Sequence, residues 1–475
     1  MSGVRRSEPA GGAPTARSVS RRGSSRFALG LGLVVAVALV LRVFYVLVVT
    51  RHEDTKLYDS LWYELQGFTL SRGHFFPVLF GHGPDAAHPP LTAIAITPVT
   101  YLFGLPPGET PQRLTMAVLG ALVVLCVGLL ARNLAGPRVG LVAAALAAVY
   151  PNMWIPNGIV MSETLTMLGI ALVLIAAYRL LRSPGWVIAA LLGLGCGAEM
   201  MVRAEAVLLV PFLLVPVVLA CKGLRWRSRF GLVAVGLLAA GLAAGPWIGR
   251  NLVSFRDTTI LSTEIGPVML GANCPQTYYG PSLGGWSLEC SLRVRPAQDA
   301  SVESTRQFDA AKTYISHHLG RLPVAALARA GRLWDLYEPF QMVHVDVNEG
   351  RPVPASRAGL FAYYALLPAA VIGIVAMRRR RVTLWPLLVP ALVVTLSSMV
   401  GFGQVRFRAE FEVSLVVLAA TGFVGAWKWC ARRLSRAPTP AVAASADERL
   451  DVFDELVLDL DVPGHLGHVH DQEQV

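Results

Sequence analysis

Phe27–Thr50 reads FALGLGLVVAVALVLRVFYVLVVT, an apolar run whose only charge is Arg42. A helix needs roughly 20 apolar residues to cross a bilayer, so this stretch is expected to span one. A basic, Ser/Gly-rich segment with Arg17, Arg21, Arg22 and Arg26 precedes it. The run is longer than the apolar core of a secretory signal, and no small-residue cleavage site follows. A retained first helix with a cytoplasmic N-terminus is the expectation.

Similar runs recur at Leu114–Leu130, Val139–Ile155, Ile159–Leu180, Trp186–Met201, Ala204–Cys221, Phe230–Ile248, Leu360–Met377, Thr383–Phe402 and Phe411–Trp427. About ten spans are therefore expected, in an all-α polytopic membrane protein. The composition agrees, with 54% hydrophobic and 15% charged residues in a 475-residue chain. The net charge of +11 points to loop topology rather than to nucleic acid, because the basic residues sit at alternate helix ends. Arg132 and Arg138, Arg179 and Arg182, Lys222 to Arg229, Arg378 to Arg381, and Lys428 to Arg436 all fall on one side. That side is read as cytoplasmic, together with both termini.

Three parts follow: a basic tail over 1–26, a transmembrane domain over 27–427, and a cytoplasmic, acidic and disordered tail over 428–475. Two outer segments, about 51–112 and 250–357, are too long for plain connectors and are expected to carry helices lying on the membrane. In Lys56–Ser71, Leu61, Leu65 and Phe68 share one helical face, and Asp59, Trp62, Tyr63 and Gln66 the other. Leu91–Phe103 is too short to span and is taken as re-entrant or interfacial. Val324–Tyr337 is expected to be amphipathic, with Leu327, Leu333, Trp334 and Tyr337 set against Arg329 and Arg332. Gly193 with Gly197, and Gly241 with Gly245, have the spacing of helix–helix packing rather than of a nucleotide loop. Cys274 and Cys290 share the larger outer segment and are read as a disulfide, with two reduced thiols as the alternative.

Chemistry concentrates at the outer helix ends. Asp59 opens the first outer loop and is the candidate general base, the alternative being a solvated loop carboxylate; Glu53 and Asp54 compete for the role. Glu163, in Met161-Ser-Glu-Thr164, is a second acid at the start of a span. Arg203 is a candidate phosphate ligand, or else the i,i+4 partner of Glu199. Arg406 and Arg408 are outer basic residues with the same candidacy, and Arg42 is a weaker one that can equally snorkel. His88-Pro-Pro-Leu91 is a rigid element. His74, His82 and His88 share a loop, but their spacing matches no common metal site, and no metal or other cofactor is assigned.

Asp59-x-x-x-Tyr63, Leu70-x-x-Gly73 and His88-Pro-Pro-Leu91 together resemble the dolichyl- or polyprenyl-phosphate mannosyltransferase-like (glycosyltransferase family 39-like) membrane enzymes. Met161-Ser-Glu-Thr, Val202-Arg-Ala-Glu205, Pro246-Trp-x-x-Arg250-Asn and Arg406-Phe-Arg408 look like later landmarks of actinobacterial members. The resemblance implies a GT-C fold and inverting sugar transfer from a polyprenyl-phosphate-linked donor at the outer face of the cytoplasmic membrane. The acceptor stays open between glycan, lipid and protein. It also implies Asp59 as base, an acidic partner near Glu163 and a phosphate-binding cation at Arg203, with Tyr63, His88, Glu205 and Arg250 as cavity candidates. Ser60 stands where many members have Glu, and Thr92 where many have Tyr. A transporter or lipid flippase without transferase activity is the competing expectation.

Overall fold

Apolar runs, and the prolines and glycines that interrupt them, account for the order of elements. The computed structural model describes residues 16–51, 58–79, 83–106 and 110–435. Glu53, Asp54, His82 and most of both expected tails lie outside the described residues. Helix α1 (Ala16–Phe44) runs into a π turn (Tyr45–Val49), and α2 (Tyr58–Ser71) and α3 (Leu91–Phe103) follow. The next group is α4 (Thr110–Ala135), α5 (Pro137–Val149), α6 (Pro151–Trp154), α7 (Ser162–Arg182), α8 (Trp186–Met200), α9 (Val215–Ala220) and α10 (Trp226–Ser254). The second long connector holds α11 (Ile265–Ala272), α12 (Pro275–Tyr278), α13 (Leu288–Ser291), α14 (Ala300–His317), α15 (Leu322–Leu333) and α16 (Pro339–Val345). The chain closes with α17 (Val353–Arg379), α18 (Trp385–Val400) and α19 (Ala409–Ser435). Among the described residues there is no strand, only an isolated bridge between Pro77 and Pro84.

The expected ten spans resolve into different kinds of segment. Among the described residues six helices are long and apolar enough to cross a membrane; α5 and α6, bent by 74° where Pro151 restarts the helix, make a seventh only if the pair counts as one broken span rather than a re-entrant loop. Three other expected spans are shorter. Residues 204–220 break into 3-10, π and α turns, with Pro211 and Pro216 removing two backbone donors. The protein is thus a multi-pass membrane protein, with the count set by how these short segments are treated. The described residues up to 428 form one unit by internal contacts.

Small residues let backbones touch, which is how helices associate where lipid is as apolar as leucine. A Cβ on Gly193 would fall 1.9 Å from the Gly236 carbonyl oxygen, and one on Gly197 would fall 2.4 Å from that of Ala240, so α8 and α10 meet backbone to backbone. Helices α17 and α19 do the same at Gly373 and Gly422. Gly241 and Gly245 depart from expectation: nothing lies within 4 Å of a Cβ at either, so they pack against no neighbour.

Two further expectations are corrected. Helix α15 turns Arg329 and Arg332 inward and leaves Leu327 exposed. The reason is a set of unsatisfied carbonyls at loop ends. Arg329 donates to the oxygens of Met399, Val400 and Ala272, and Arg332 to those of Leu283 and Pro281. Arg42 neither snorkels nor faces a substrate space; it is fully buried and donates to the carbonyls of Ala38, Ala147, Ala148 and Met153, bracing the α5–α6 bend. Cys274 and Cys290 are joined in a disulfide within the second connector.

The glycine seam predicts a contrast. Gly193→Ala should cost about 1–3 kcal/mol of stability, because backbone must move. Gly241→Ala should be neutral or stabilising by less than about 1 kcal/mol. Thermal unfolding of the purified variants in nanodiscs measures both.

Candidate active site

The site forms where four chain segments meet. The first turn of α2 carries Asp59. The loop before α3 carries His88 at a bend, with Pro89 and Pro90 restricting the backbone that follows it. A 3-10 turn, Val405–Arg408, carries Arg406. A second 3-10 turn, Asp346–Glu349, carries Glu349 and ends on Gly350, whose φ of 66° is one that glycine adopts without strain.

Asp59 is the meeting point. Its Oδ2 accepts from Arg406 Nη1 at 2.8 Å, and its Oδ1 lies 3.5 Å from His88 Nε2. The same Arg406 nitrogen reaches Glu349 Oε2 at 3.2 Å. Gln404 ties the group together, donating to Glu349 Oε1 at 2.9 Å and accepting from Arg406 Nε at 3.1 Å. Burial opposes ionisation of Asp59, but Arg406 and His88 outweigh it and hold the carboxyl far below the usual range. Burial would lower His88, yet Asp59 more than compensates and raises it. The Tyr63 hydroxyl is pushed up by burial and by Asp59, so it stays protonated. Tyr63 and Trp62 stand 5.2 and 5.1 Å from the His88 ring.

Asp85, which drew no attention in the sequence, fixes this loop. It accepts from Trp62 Nε1 at 2.8 Å, from Gln66 Nε2 at 3.1 Å and from the Ala87 N–H at 2.8 Å. Arg250 completes the brace by donating to the carbonyls of Asp85 and Phe76, both at 2.9 Å, so it supports the loop that carries His88. The α2 face expected to be polar does turn inward: Trp62, Tyr63 and Gln66 are buried, whereas Leu61, Leu65 and Phe68 are only partly covered.

The remaining expected residues divide. Glu163 is buried in the first turn of α7 and lines a narrow crevice with Met161, Glu349, Arg351 and Arg406. Arg203 pairs with Glu205 at 2.8 Å, not with Glu199, because helix α8 ends before it and its backbone turns extended. Its Nη1 has no hydrogen-bond partner, and its guanidinium lies over the Phe407 ring, as that of Arg406 does. Arg408 points away. It is fully buried, bonded to Asp335 and Glu412 at 2.8 Å each, and packed 3.6 Å from the Tyr363 centroid. Glu349, Arg351, Asp85 and Glu264 were all missed in the sequence. They sit singly in long connectors, and only the Glu349-Gly-Arg351-Pro352 run just before a span was a usable signal. No group of three His, Cys, Asp or Glu able to hold a metal occurs among the described residues.

Two outcomes are expected. Arg408→Ala strands two buried carboxylates and should cost about 3–5 kcal/mol in thermal or denaturant unfolding. Glu264 is pushed up to about 7, chiefly by burial, with His88 opposing and Asp59, Asp85 and Glu303 adding. The folded chain therefore keeps a proton that the unfolded chain releases near 4.5, and this group's stabilising contribution falls as pH rises from 4.5 to 7. Glu264→Gln should flatten the decline of Tm across that window.

Residues 87–248, roughly a third of the chain, match the family described as Dolichyl-phosphate-mannose-protein mannosyltransferase. Among curated proteins none matches. The archaeal oligosaccharyltransferase AglB from Archaeoglobus fulgidus, in complex with an inhibitory peptide and a dolichol-phosphate, is 14% identical, with a TM-score of 0.53 over 90% of this chain and 53% of its own. The structure of the same organism's oligosaccharyltransferase with Zn and sulfate is 15% identical, with a TM-score of 0.51 over 86% of this chain and 50% of its own. The chain thus spans about half the length of these structures. ArnT from Cupriavidus metallidurans bound to undecaprenyl phosphate is 16% identical over 86% of this chain and 80% of its own, with a TM-score of 0.37. The family match is thus confined to residues 87–248, and the likeness to the oligosaccharyltransferase structures is one of fold.

Proposed function

We propose that the protein is an inverting glycosyltransferase that moves a sugar from a polyprenyl-phosphate donor to an acceptor at the outer face of the cytoplasmic membrane. The observation that carries this reading is the convergence of Asp59, His88 and Arg406, far apart in sequence, into one ion-paired group. A carboxylate to take a proton and a guanidinium to receive an anion are what glycosyl transfer from a phosphate needs.

In this mechanism Asp59 takes the proton of the acceptor's hydroxyl or amine. The freed electron pair attacks the anomeric carbon from the face opposite the phosphate. The bond from that carbon to the phosphate oxygen breaks, its electrons leave with polyprenyl phosphate, and the configuration inverts. As it stands, Asp59 is a weak base, since Arg406 and His88 stabilise its ionised form. A donor phosphate that draws on Arg406 would strengthen it. Tyr63 and His88 pack against each other beside the carboxylate, and Arg203 has an unpartnered Nη1.

The outer-face assignment is supported by the direction of α7. It starts at Glu163 in the site and ends at Arg182, which donates to the Asn133 carbonyl, while Arg380 donates to Ala135 next to it. The basic residues therefore gather at the end of α7 away from the site, and basic ends favour the cytoplasm. On this topology the termini are cytoplasmic.

Asp59→Asn keeps the shape and removes the proton acceptor. It should lower transfer by at least ~100-fold; the protein should still fold, with a lower melting temperature because the ion pairs to Arg406 and His88 are lost. The assay follows release of polyprenyl phosphate from a lipid-linked sugar by purified protein. Undiminished turnover by the variant removes Asp59 from the mechanism. Lipid movement without sugar release points to a transporter instead.

A further inference from the structure

Buried guanidinium groups in this fold are otherwise answered by carbonyls or carboxylates. Arg351 is not. It is 6% exposed and lines the crevice with Arg406, Glu163 and Glu349. Among the described residues no carboxylate lies within 4.0 Å of its guanidinium, and that group makes no hydrogen bond. Its backbone N–H donates to the Asp346 carbonyl at 3.1 Å, closing the turn over Gly350 and fixing where the side chain starts.

The nearby acids do not serve as its counterion. Glu349 is already engaged by Arg406 and Gln404. Asp346 is buried, with its Oδ1 unbonded, and burial pushes its carboxyl up to about 7 despite the opposing influence of Arg351. A cation that keeps only a small contact with water and has no close partner loses part of its solvation. A site that holds one in readiness offsets that cost when an anion arrives.

We propose that Arg351 is an anion seat for the donor's phosphate, next to Arg406, and that it binds the departing polyprenyl phosphate more tightly than the intact donor. This inference rests on the glycosyl-transfer reading above. The intact donor is a phosphodiester with one negative charge. When the glycosyl bond breaks, the phosphate keeps the electron pair and becomes a monoester carrying nearly two. A largely buried guanidinium gains from that increase, so its interaction grows along the reaction. The lipid tail keeps the anion at membrane depth, which selects a lipid phosphate over a free one.

The test uses full-length protein in phosphatidylcholine nanodiscs, with undecaprenyl phosphate, undecaprenol and inorganic phosphate as probes. Binding is read by thermophoresis and by the shift in Tm. The wild type is expected to bind undecaprenyl phosphate at least tenfold more tightly than undecaprenol or inorganic phosphate. R351A should lose at least tenfold of that affinity and R351K less. Because Arg351 makes no side-chain bond in the donor-free protein, the Tm of R351A without ligand should equal or exceed that of the wild type; a residue with a merely structural role would lower it. Wild-type binding that R351A leaves intact overturns this inference alone. Equal binding of inorganic and lipid phosphate overturns the lipid assignment. No binding of undecaprenyl phosphate by the wild type overturns the functional reading, and this inference with it.

Discussion

A charge taken out of water must be given a partner, and much of this structure follows from meeting that demand for arginine. Arg42, Arg329 and Arg332 are answered by backbone carbonyls at helix ends and bends. Arg408 is answered by two buried carboxylates. Arg250 is answered by the loop that bears His88. Each of these bonds fixes a break in a helix or a turn of a connector. Together they hold the irregular segments over a bundle whose own packing is mostly small residues and alkyl groups. Arg406 differs in kind, since its guanidinium is divided between two carboxylates, Asp59 and Glu349, from different connectors.

Helical periodicity and apolar runs were readable in the sequence because they are local. The positions of the long helices, the inward face of α2 and the paired cysteines of the second connector all depend on spacing or on compartment chemistry. Lengths were less readable. Pro211 and Pro216 shorten one expected span, and Pro151 bends another, so hydropathy alone overstates the regular helix present. Amphipathicity misled at α15, where hydropathy places arginine outward. There the tertiary need to satisfy carbonyls from α18 and from the disulfide-bearing connector turns it inward.

The candidate site was only half readable for the same reason. Asp59, Glu163 and His88 stand out as polar residues at the edges of apolar segments, and Arg406 stands out against the bias for basic residues on the other side. Arg406 and Arg408 are two residues apart and look equivalent in sequence. A 3-10 turn sends one toward Asp59 and the other into the core, where Tyr363 and Glu412 receive it. Glu349 and Arg351 carried little pattern, because their partners lie in other segments and the connector around them has no period. Asp85 likewise matters through what it holds in place, which no single stretch of sequence displays.

The contact between Gly193 and Gly236 bears on the chemistry at a distance. Helix α8 ends at Met200, and the chain then turns straight into Arg203, while the Met201 carbonyl accepts from the Leu91 N–H just past the His88 element. The height of Arg203 and of the His88 loop is thus gauged by how closely two helix axes approach several turns away. Bulk added at that contact would act like a shim under a hinge, tilting both segments of the candidate site without touching either side chain.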